Sequence, residues 1–346
     1  MGPDAQTSAR VHVGRALAPA KVNPTLVVLG RRADGYHEVD TTLVALELCD
    51  ELLVRIDRGA LGPGPGEAAP VTVRLSGPEA SADIPRDARN LAVRALVAAR
   101  DALAPRLPWL WQARIELELL KRIPSQAGLG GGSSDAAAAV RAFERAVGDS
   151  LAPSARATLL AELGADCAFF GALGAAQAER GVAGSPGRSP VGPIGAGRAR
   201  GFGERVEALT APSDWHFAVL TPEARCPTGL VYGALRFPLP APPPQDPAAV
   251  LGLAPELACS ALFNHLEGAA LSAVPELRPW RALFDGLGRE RPALGGARLS
   301  GSGSSWFALA ASHAEATELV ALATARAEAA GLRWRGAWAV GCWRGD

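Results

Sequence analysis

Gly128, Gly130, Gly131 and Gly132 run directly into Ser133 and Ser134, inside the stretch IPSQAGLGGGSSDAAAAV that spans residues 123–140. Backbone N–H groups of a glycine-rich turn that feeds a helix N-terminus converge on an anion. Glycine supplies the unusual dihedrals and the close approach, and the helix dipole adds favourable charge. The two hydroxyls can cap the helix, donate to a phosphate or help to hold a metal ion. A plain turn with a serine cap has the same composition, so the loop by itself indicates only an anion-friendly turn before a helix. Two familiar phosphate loops are disfavoured. No Gly-Lys-Ser/Thr closes the segment as in a Walker A loop, and the third glycine slot of a dinucleotide-binding G-x-G-x-x-G holds Ser133.

Other side chains of chemical interest lie far away in sequence. Lys21 stands in PAKVN, inside an otherwise apolar segment, and Lys121 is the only other lysine in the chain. Charged residues are rarely placed in such a segment without a partner. Asn23 shares the face of Lys21 by strand alternation. Asp166, in LGADCAFF, reads on its own as a turn or helix-cap acid. Lys121, just outside the glycine loop, reads as a solvated strand-end charge, and Asp135 as a first-turn acid that stabilises its helix. The two tyrosines are Tyr36, beside His37 in GYHEV, and Tyr232, in CPTGLVY. A pair of aromatic rings on either face of a pyrimidine is a physically sensible way to bind it.

The elements that must position these residues follow from periodicity and punctuation. Val11–Leu17 and Val22–Leu29 read as two strands with a break at Pro19, and TLVALELCDELLVRI and VTVRLS continue the strand-rich character. The segment 59–70, GALGPGPGEAAP, reads as a loop. Helical spacing predicts a helix over 90–103, alternation predicts a strand over 113–119, and the glycine loop then leads into a helix over Ser134–Val147. A second helix spans about 153–163. Residues 181–203, dense in Gly, Pro, Ser and Arg, read as a flexible surface loop. Beyond it come a strand in DWHFAVLT and a proline-rich linker at 237–249. Helical segments follow near 257–271 and 280–286, then GGARLSGSGSSWFALA, a helix over 315–330 and a final strand. The closing strand–turn–strand–helix–strand set suits an α+β sandwich.

Composition bounds the function. The 346 residues include 35 basic and 35 acidic side chains, so the formal net charge is zero and nothing pulls the chain toward nucleic acid or an anionic membrane. Five scattered cysteines show no metal-ligand spacing and read as reduced thiols. No apolar run approaches the roughly 18 residues of a membrane span. The expectation is a soluble, cytoplasmic protein that works on small molecules; its oligomeric state is not legible.

Taken in order, PAKVNPTLVVLGRRADGYHEV, PSQAGLGGGSSDAAAAV, LGADCAFF and LSGSGSSWFAL resemble the GHMP kinase superfamily over about residues 16–345. The resemblance implies a two-lobed fold: a ribosomal-S5-like α/β lobe over 11–180, an insertion at 181–203, and a ferredoxin-like α+β lobe over 204–346. It implies that Asp166 accepts the proton of a substrate hydroxyl while Lys21 pairs with it. It assigns the phosphates of ATP to Pro124, Gly128, Gly130, Gly131, Gly132, Ser133 and Ser134. It implies Mg²⁺ with the nucleotide, with Ser134 as a candidate ligand. PAKVN, RADGYHE and LGADCAFF point to a branch of the superfamily whose substrate carries a cytidine diphosphate group. There Tyr36 would stack on the cytosine, His37 would hydrogen-bond it, and Tyr232 would cover its other face. Asn23, Thr228, Gly301, Ser302 and Gly303 would complete the substrate site. Gly229 departs from the family pattern, where proline is usual. Other kinases of the superfamily, acting on homoserine, mevalonate or a sugar, and a non-catalytic nucleotide-binding protein are the alternatives.

Overall fold

The computed structural model describes residues 11–59, 70–181 and 195–345. Two long strands, β1 (Val11–Arg31) and β2 (His37–Asp57), pair antiparallel along their whole length. The turn between them is fixed by Gly35 at φ +89° and by the Asp34 carboxylate, which accepts from the Tyr36 N–H at 3.1 Å. Where the sequence predicts two strands broken at Pro19, there is one. The ladder shifts register between Pro19 and Lys21, so proline's missing N–H costs little there. The Lys21 N–H turns away from β2 and donates to Leu129 O at 2.9 Å.

Among the described residues, seven strands form the first sheet. Beside β2 lie β4 (Arg114–Leu120) and then β3 (Val71–Ser76). The helices α1 (Leu91–Leu103), α2 (Gly131–Val147) and α3 (Pro153–Leu163) follow close to the expected places, and α4 (Ala165–Gly181), which the sequence reading did not assign, follows α3. The first sheet continues into β5 (Ala196–Gly201), which pairs with β2, and β6 (Arg205–Leu209), which pairs with β5. This corrects the sequence reading of 181–203 as a loop throughout. Glycine and alanine are poor strand formers, but burial of Ala196 and Ala199 and the ladder to Val39–Val44 override this. Residues 182–194 of that expected loop, and 60–69 of the loop before β3, lie outside the described residues.

The second sheet has the order β11-β7-β10-β9, from β7 (His216–Pro222), β9 (Arg298–Leu299), β10 (Trp306–Ala310) and β11 (Trp334–Gly341). Between β7 and β9 run α5 (Thr228–Gly233), α6 (Pro255–Ala261), α7 (Leu266–Ala273), α8 (Arg278–Leu287) and α9 (Pro292–Gly295). The helix α10 (His313–Ala329) precedes β11. The helix expected over 257–271 is split into α6 and α7 by β8 (Phe263–Asn264), which joins β1 in parallel. Strand alternation builds the layers. On β7, Ala218 and Leu220 face a core shared with α7, α8 and α10, while Phe217 and Val219 face Val22, Val44 and Leu46 of the first sheet. The other face of the first sheet packs Leu43 and Ala45 against α1, α2 and α4. Helices thus flank two sheets that share a central apolar layer.

Candidate active site

The glycine loop turns where only glycine turns easily: Gly128 has φ +75° and Gly130, the residue before α2, φ +72°. A Cβ on Gly130 would stand 3.0 Å from the Cγ of Lys21. The loop is clamped from two directions. Leu129 O takes the Lys21 N–H, and Gly128 O accepts from Ser300 Oγ at 2.9 Å. Ser305 N–H donates to Ala127 O at 3.0 Å. Ser300–Ser305 is the late glycine turn between β9 and β10, and Asn264 holds it by donating to Leu299 O and Gly301 O, both at 2.8 Å. Gly301 and Ser302 reach the wall of the same cleft, of about 430 Å³, whereas Gly303 backs the loop: a Cβ on Gly128 would stand 3.0 Å from its backbone.

Lys21 is buried and its ammonium donates to Asn23 Oδ1 at 2.7 Å. Asn23 in turn donates to Thr41 Oγ1 at 2.9 Å, and Thr41 donates to Thr25 O, so the amide is held with its oxygen toward the lysine. Asp166 Oδ2 lies 3.5 Å from the same ammonium. The two partners differ in access: the Lys21 side chain is 4% exposed and that of Asp166 39%. Asp166 begins α4, where the helix dipole favours its negative charge. A fixed cation behind a carboxylate that opens onto a cleft is an arrangement for taking a proton from a bound hydroxyl.

Lys121 is not the solvated strand-end charge of the sequence reading, and Asp135, expected as a first-turn acid, lies buried one turn inside α2. Lys121 is buried, hydrogen-bonded to Asp50 and, at 2.7 Å, to Asp135 Oδ2. Asp50 also accepts from the backbone N–H groups of Arg122 and Ile123, while Asp135 Oδ1 has no partner. Burial pushes the Asp135 carboxyl up to about 7; Asp50 adds to the effect and Lys121 opposes it. Burial works against the Lys121 ammonium, but Asp135 and Asp50 together raise its pKa above the ordinary value. Ser133 lies on the cleft wall; Ser134 Oγ is buried, without a hydrogen-bond partner, and is not part of that wall.

The ring arrangement differs from the expectation. Tyr36 is 60% exposed, lies against Phe202 at 5.2 Å between centroids, and is absent from the cleft wall. His37 lies against Tyr232 at 5.1 Å and is parallel to Phe237 at 6.2 Å. Burial, with Arg31 adding, holds the His37 imidazole below its ordinary pKa. Burial and the nearby Asp166 push the Tyr232 phenol up to about 12. Tyr232, Thr228 and Phe202 do line the cleft, and Thr228 Oγ1 is 3.2 Å from Ser302 Oγ.

Pro124 lines the wall beside the glycine loop. Sequence reasoning missed the segment before α1, which contributes Asp83, Ile84, Asn90 and Leu91 to the cleft. Asn90 caps α1, accepting from Ala92 N–H at 2.9 Å; the N-L-A-V pattern before the helix was the available signal. Across the cleft mouth Asp83 pairs with Arg225, from the segment between β7 and α5, and that guanidinium holds the Asp83 carboxyl down at about 2.

Residues 90–174 match the family model described as the GHMP kinases N terminal domain. A 4-diphosphocytidyl-2-C-methyl-D-erythritol kinase of Rhodopirellula baltica is 33% identical over 315 residues, 86% of this chain and 87% of that one. The chain belongs to this kinase family. A crystal structure of a 4-(cytidine 5'-diphospho)-2C-methyl-D-erythritol kinase aligns at 32% identity with a TM-score of 0.65, over 95% of this chain and all of the other. A homoserine kinase from Cytophaga hutchinsonii aligns at 18% identity with a TM-score of 0.62, over 99% of this chain and 98% of that one, a likeness of fold. Family membership agrees with the α+β architecture and with the clamped glycine loop. Among the described residues no helix is long and apolar enough to cross a membrane.

Proposed function

We propose that the cleft transfers the γ-phosphoryl group of ATP to the tertiary 2-hydroxyl of 4-diphosphocytidyl-2-C-methyl-D-erythritol. The supporting observation is the Lys21–Asp166 pair, buried cation against open carboxylate, set beside a helix N-terminus that is ready for phosphate. In this reading Asp166 takes the hydroxyl proton as the oxygen attacks the γ-phosphorus, and ADP leaves. Lys21 holds the carboxylate in place and faces the developing alkoxide. The N–H groups of the glycine loop and the first turn of α2 bind the phosphates, so positioning and electrostatics supply the catalysis. The nucleotide's base would lie along Asn90, Leu91 and Ile123, leaving the aromatic wall at Phe202 and Tyr232 for the cytosine.

Among the described residues no cluster of three or more His, Cys, Asp or Glu side chains could cage a metal ion. That fits Mg²⁺, which keeps much of its water and rides on nucleotide phosphates with few protein ligands. The Ser133 hydroxyl on the wall is the group that would hold it, since Ser134 Oγ is buried away from that wall. When bound, it would offset phosphate charge.

Phosphoryl transfer followed by phosphorus NMR, with ATP and each of three acceptors, tests the reading. The cytidylated methylerythritol should be phosphorylated, and homoserine and mevalonate should not. Turnover of homoserine or mevalonate alone would overturn it.

A further inference from the structure

We propose that Thr41 is a positioning residue for the transfer step. Its hydroxyl fixes which way the Asn23 amide points, and through that amide it aims the Lys21 ammonium at Asp166 and at the attacking oxygen. This role rests on the transfer reading above and adds to it a residue that acts only through another.

The need for such a residue starts in the backbone. The β1–β2 register passes from Val22 opposite Val44 to Thr25 opposite Thr42, so Asn23 and Pro24 face the single residue Leu43. An extra residue of this kind bends a strand and re-aims a side chain, and Pro24 has no N–H to give to a ladder. Side chains repair the gap. The Thr25 N–H donates to Thr42 Oγ1 at 3.1 Å, and the Thr42 N–H donates to Thr25 Oγ1 at 3.3 Å. Thr41, one residue along β2 and therefore on its opposite face, reaches the cleft wall instead.

A threonine hydroxyl has one hydrogen, and that of Thr41 goes to Thr25 O at 2.7 Å. Toward Asn23 its oxygen can then only accept. The amide must present its NH2 to Thr41, at 2.9 Å, and its carbonyl to the Lys21 ammonium, at 2.7 Å. The flipped amide would set NH2 against ammonium and acceptor against acceptor. Thr41 and Asn23 are both buried, so water does not replace a lost partner. A Cβ on Gly301 would stand 3.2 Å from Lys21 Nζ and 3.3 Å from Asn23 Oδ1, so the late glycine turn closes over the pair. With one ammonium hydrogen committed to Asn23 in a set direction, the others are left for Asp166, 3.5 Å away, and for the substrate oxygen.

Steady-state ADP release by the full chain, with the cytidylated methylerythritol as acceptor, tests this together with calorimetric titration of ADP. Thr41→Val keeps the shape and removes the hydroxyl. Its kcat should fall about tenfold, the scale of a lost hydrogen bond that leaves a buried donor unpaired. The KM for ATP and the Kd for ADP should stay within about twofold, because neither ligand meets the misplaced amide. Thr41→Ser restores the hydroxyl and should recover most of the rate. In an Asn23→Ala background Thr41→Val should cost nothing further, since the group it orients is gone. A threonine that merely supports the fold would cost the same in both backgrounds, and that result would overturn the proposal. So would an undiminished kcat in Thr41→Val, a Thr41→Ser variant as slow as the valine, or a parallel loss of ADP affinity. No transfer to this acceptor by the unmutated protein would sink the substrate reading and the role of Thr41 with it. Normal transfer with an indifferent Thr41 would remove that role alone.

Discussion

Lys21 and Asp166 work as a pair because the fold treats them unequally. The lysine is sealed between β1 and the glycine loop, where its ammonium also meets Asn23, and the aspartate keeps an open side toward the cleft. A mobile lysine would screen the carboxylate from substrate; a buried one orients it and leaves the reactive edge free. Asp166→Asn preserves shape and removes the proton acceptor, so kcat should fall by about 10²–10⁴-fold. Affinity for ADP, measured by titration, should stay near that of the unmutated protein; a kcat within a few-fold of it would sink the assigned role. These two residues were legible in sequence because each sits in a short, distinctive string. Lys121 and Asp135 were misread for a physical reason. Their common partner, Asp50, lies 71 residues before Lys121, and no local pattern announces a buried triad. Phe202 was hidden in a segment whose composition reads as loop.

At the scale of the element, α2 does two things: it points its N-terminus at the phosphate position and it is anchored there by charge. Lys121 at the end of β4 and Asp50 at a bend of β2 meet Asp135 one turn inside the helix, so three elements converge under the loop. Two carboxylates and one ammonium leave an excess negative charge in a dry site, and Asp135, with an unpartnered oxygen, is where a proton resides most readily. Its folded-state pKa lies above the unfolded value of about 4. The folded protein therefore binds this proton more tightly than the unfolded chain does. The resulting stability is fully present below about pH 4 and is lost as pH rises through about 7. Asp135→Asn should flatten the decline of Tm across that window in thermal melts. An unchanged slope in the variant would show that another group carries the titration. The helix itself was readable from its glycine start and alanine run; its anchorage was not, because that depends on which strands become neighbours.

Across the whole molecule the two halves of the chain do not separate into independent bodies. The C-terminal half lends β8 to the first sheet, and the central apolar layer is built from both sheets. The late glycine turn is bolted to the glycine loop through Ser300 and Ser305. Calorimetry should accordingly record one unfolding transition, and Gly128→Ala should move it as a whole. That glycine has a positive φ, and a Cβ there would meet Ser300 O and the backbone of Gly303, so the substitution should cost more than about 1 kcal/mol. Two resolved transitions, with only one displaced, would contradict this coupling. The α+β class and the order of most elements were readable from alternation and punctuation. The crossing of chain halves between sheets was not, because β8 is two residues long and β5 is rich in glycine and alanine.

The bolt between the two glycine segments also bears on how such a chain can change over evolutionary time. Ser300 and Gly303 backbone atoms fill the side-chain space of Gly128, Lys21, Asn23 and Gly128 fill that of Gly301, and Leu299 fills that of Gly303, so none of them has freedom of its own. A residue that suits one segment in a relative arrives in the wrong setting unless its counterpart travels with it. In a chimera between this chain and a distant relative, 21–23, 123–135 and 299–305 form one transferable unit scattered over three parts of the gene. The aromatic tip of the β5–β6 hairpin, which meets Tyr36 and Ala165 outside that unit, is the part left free to vary.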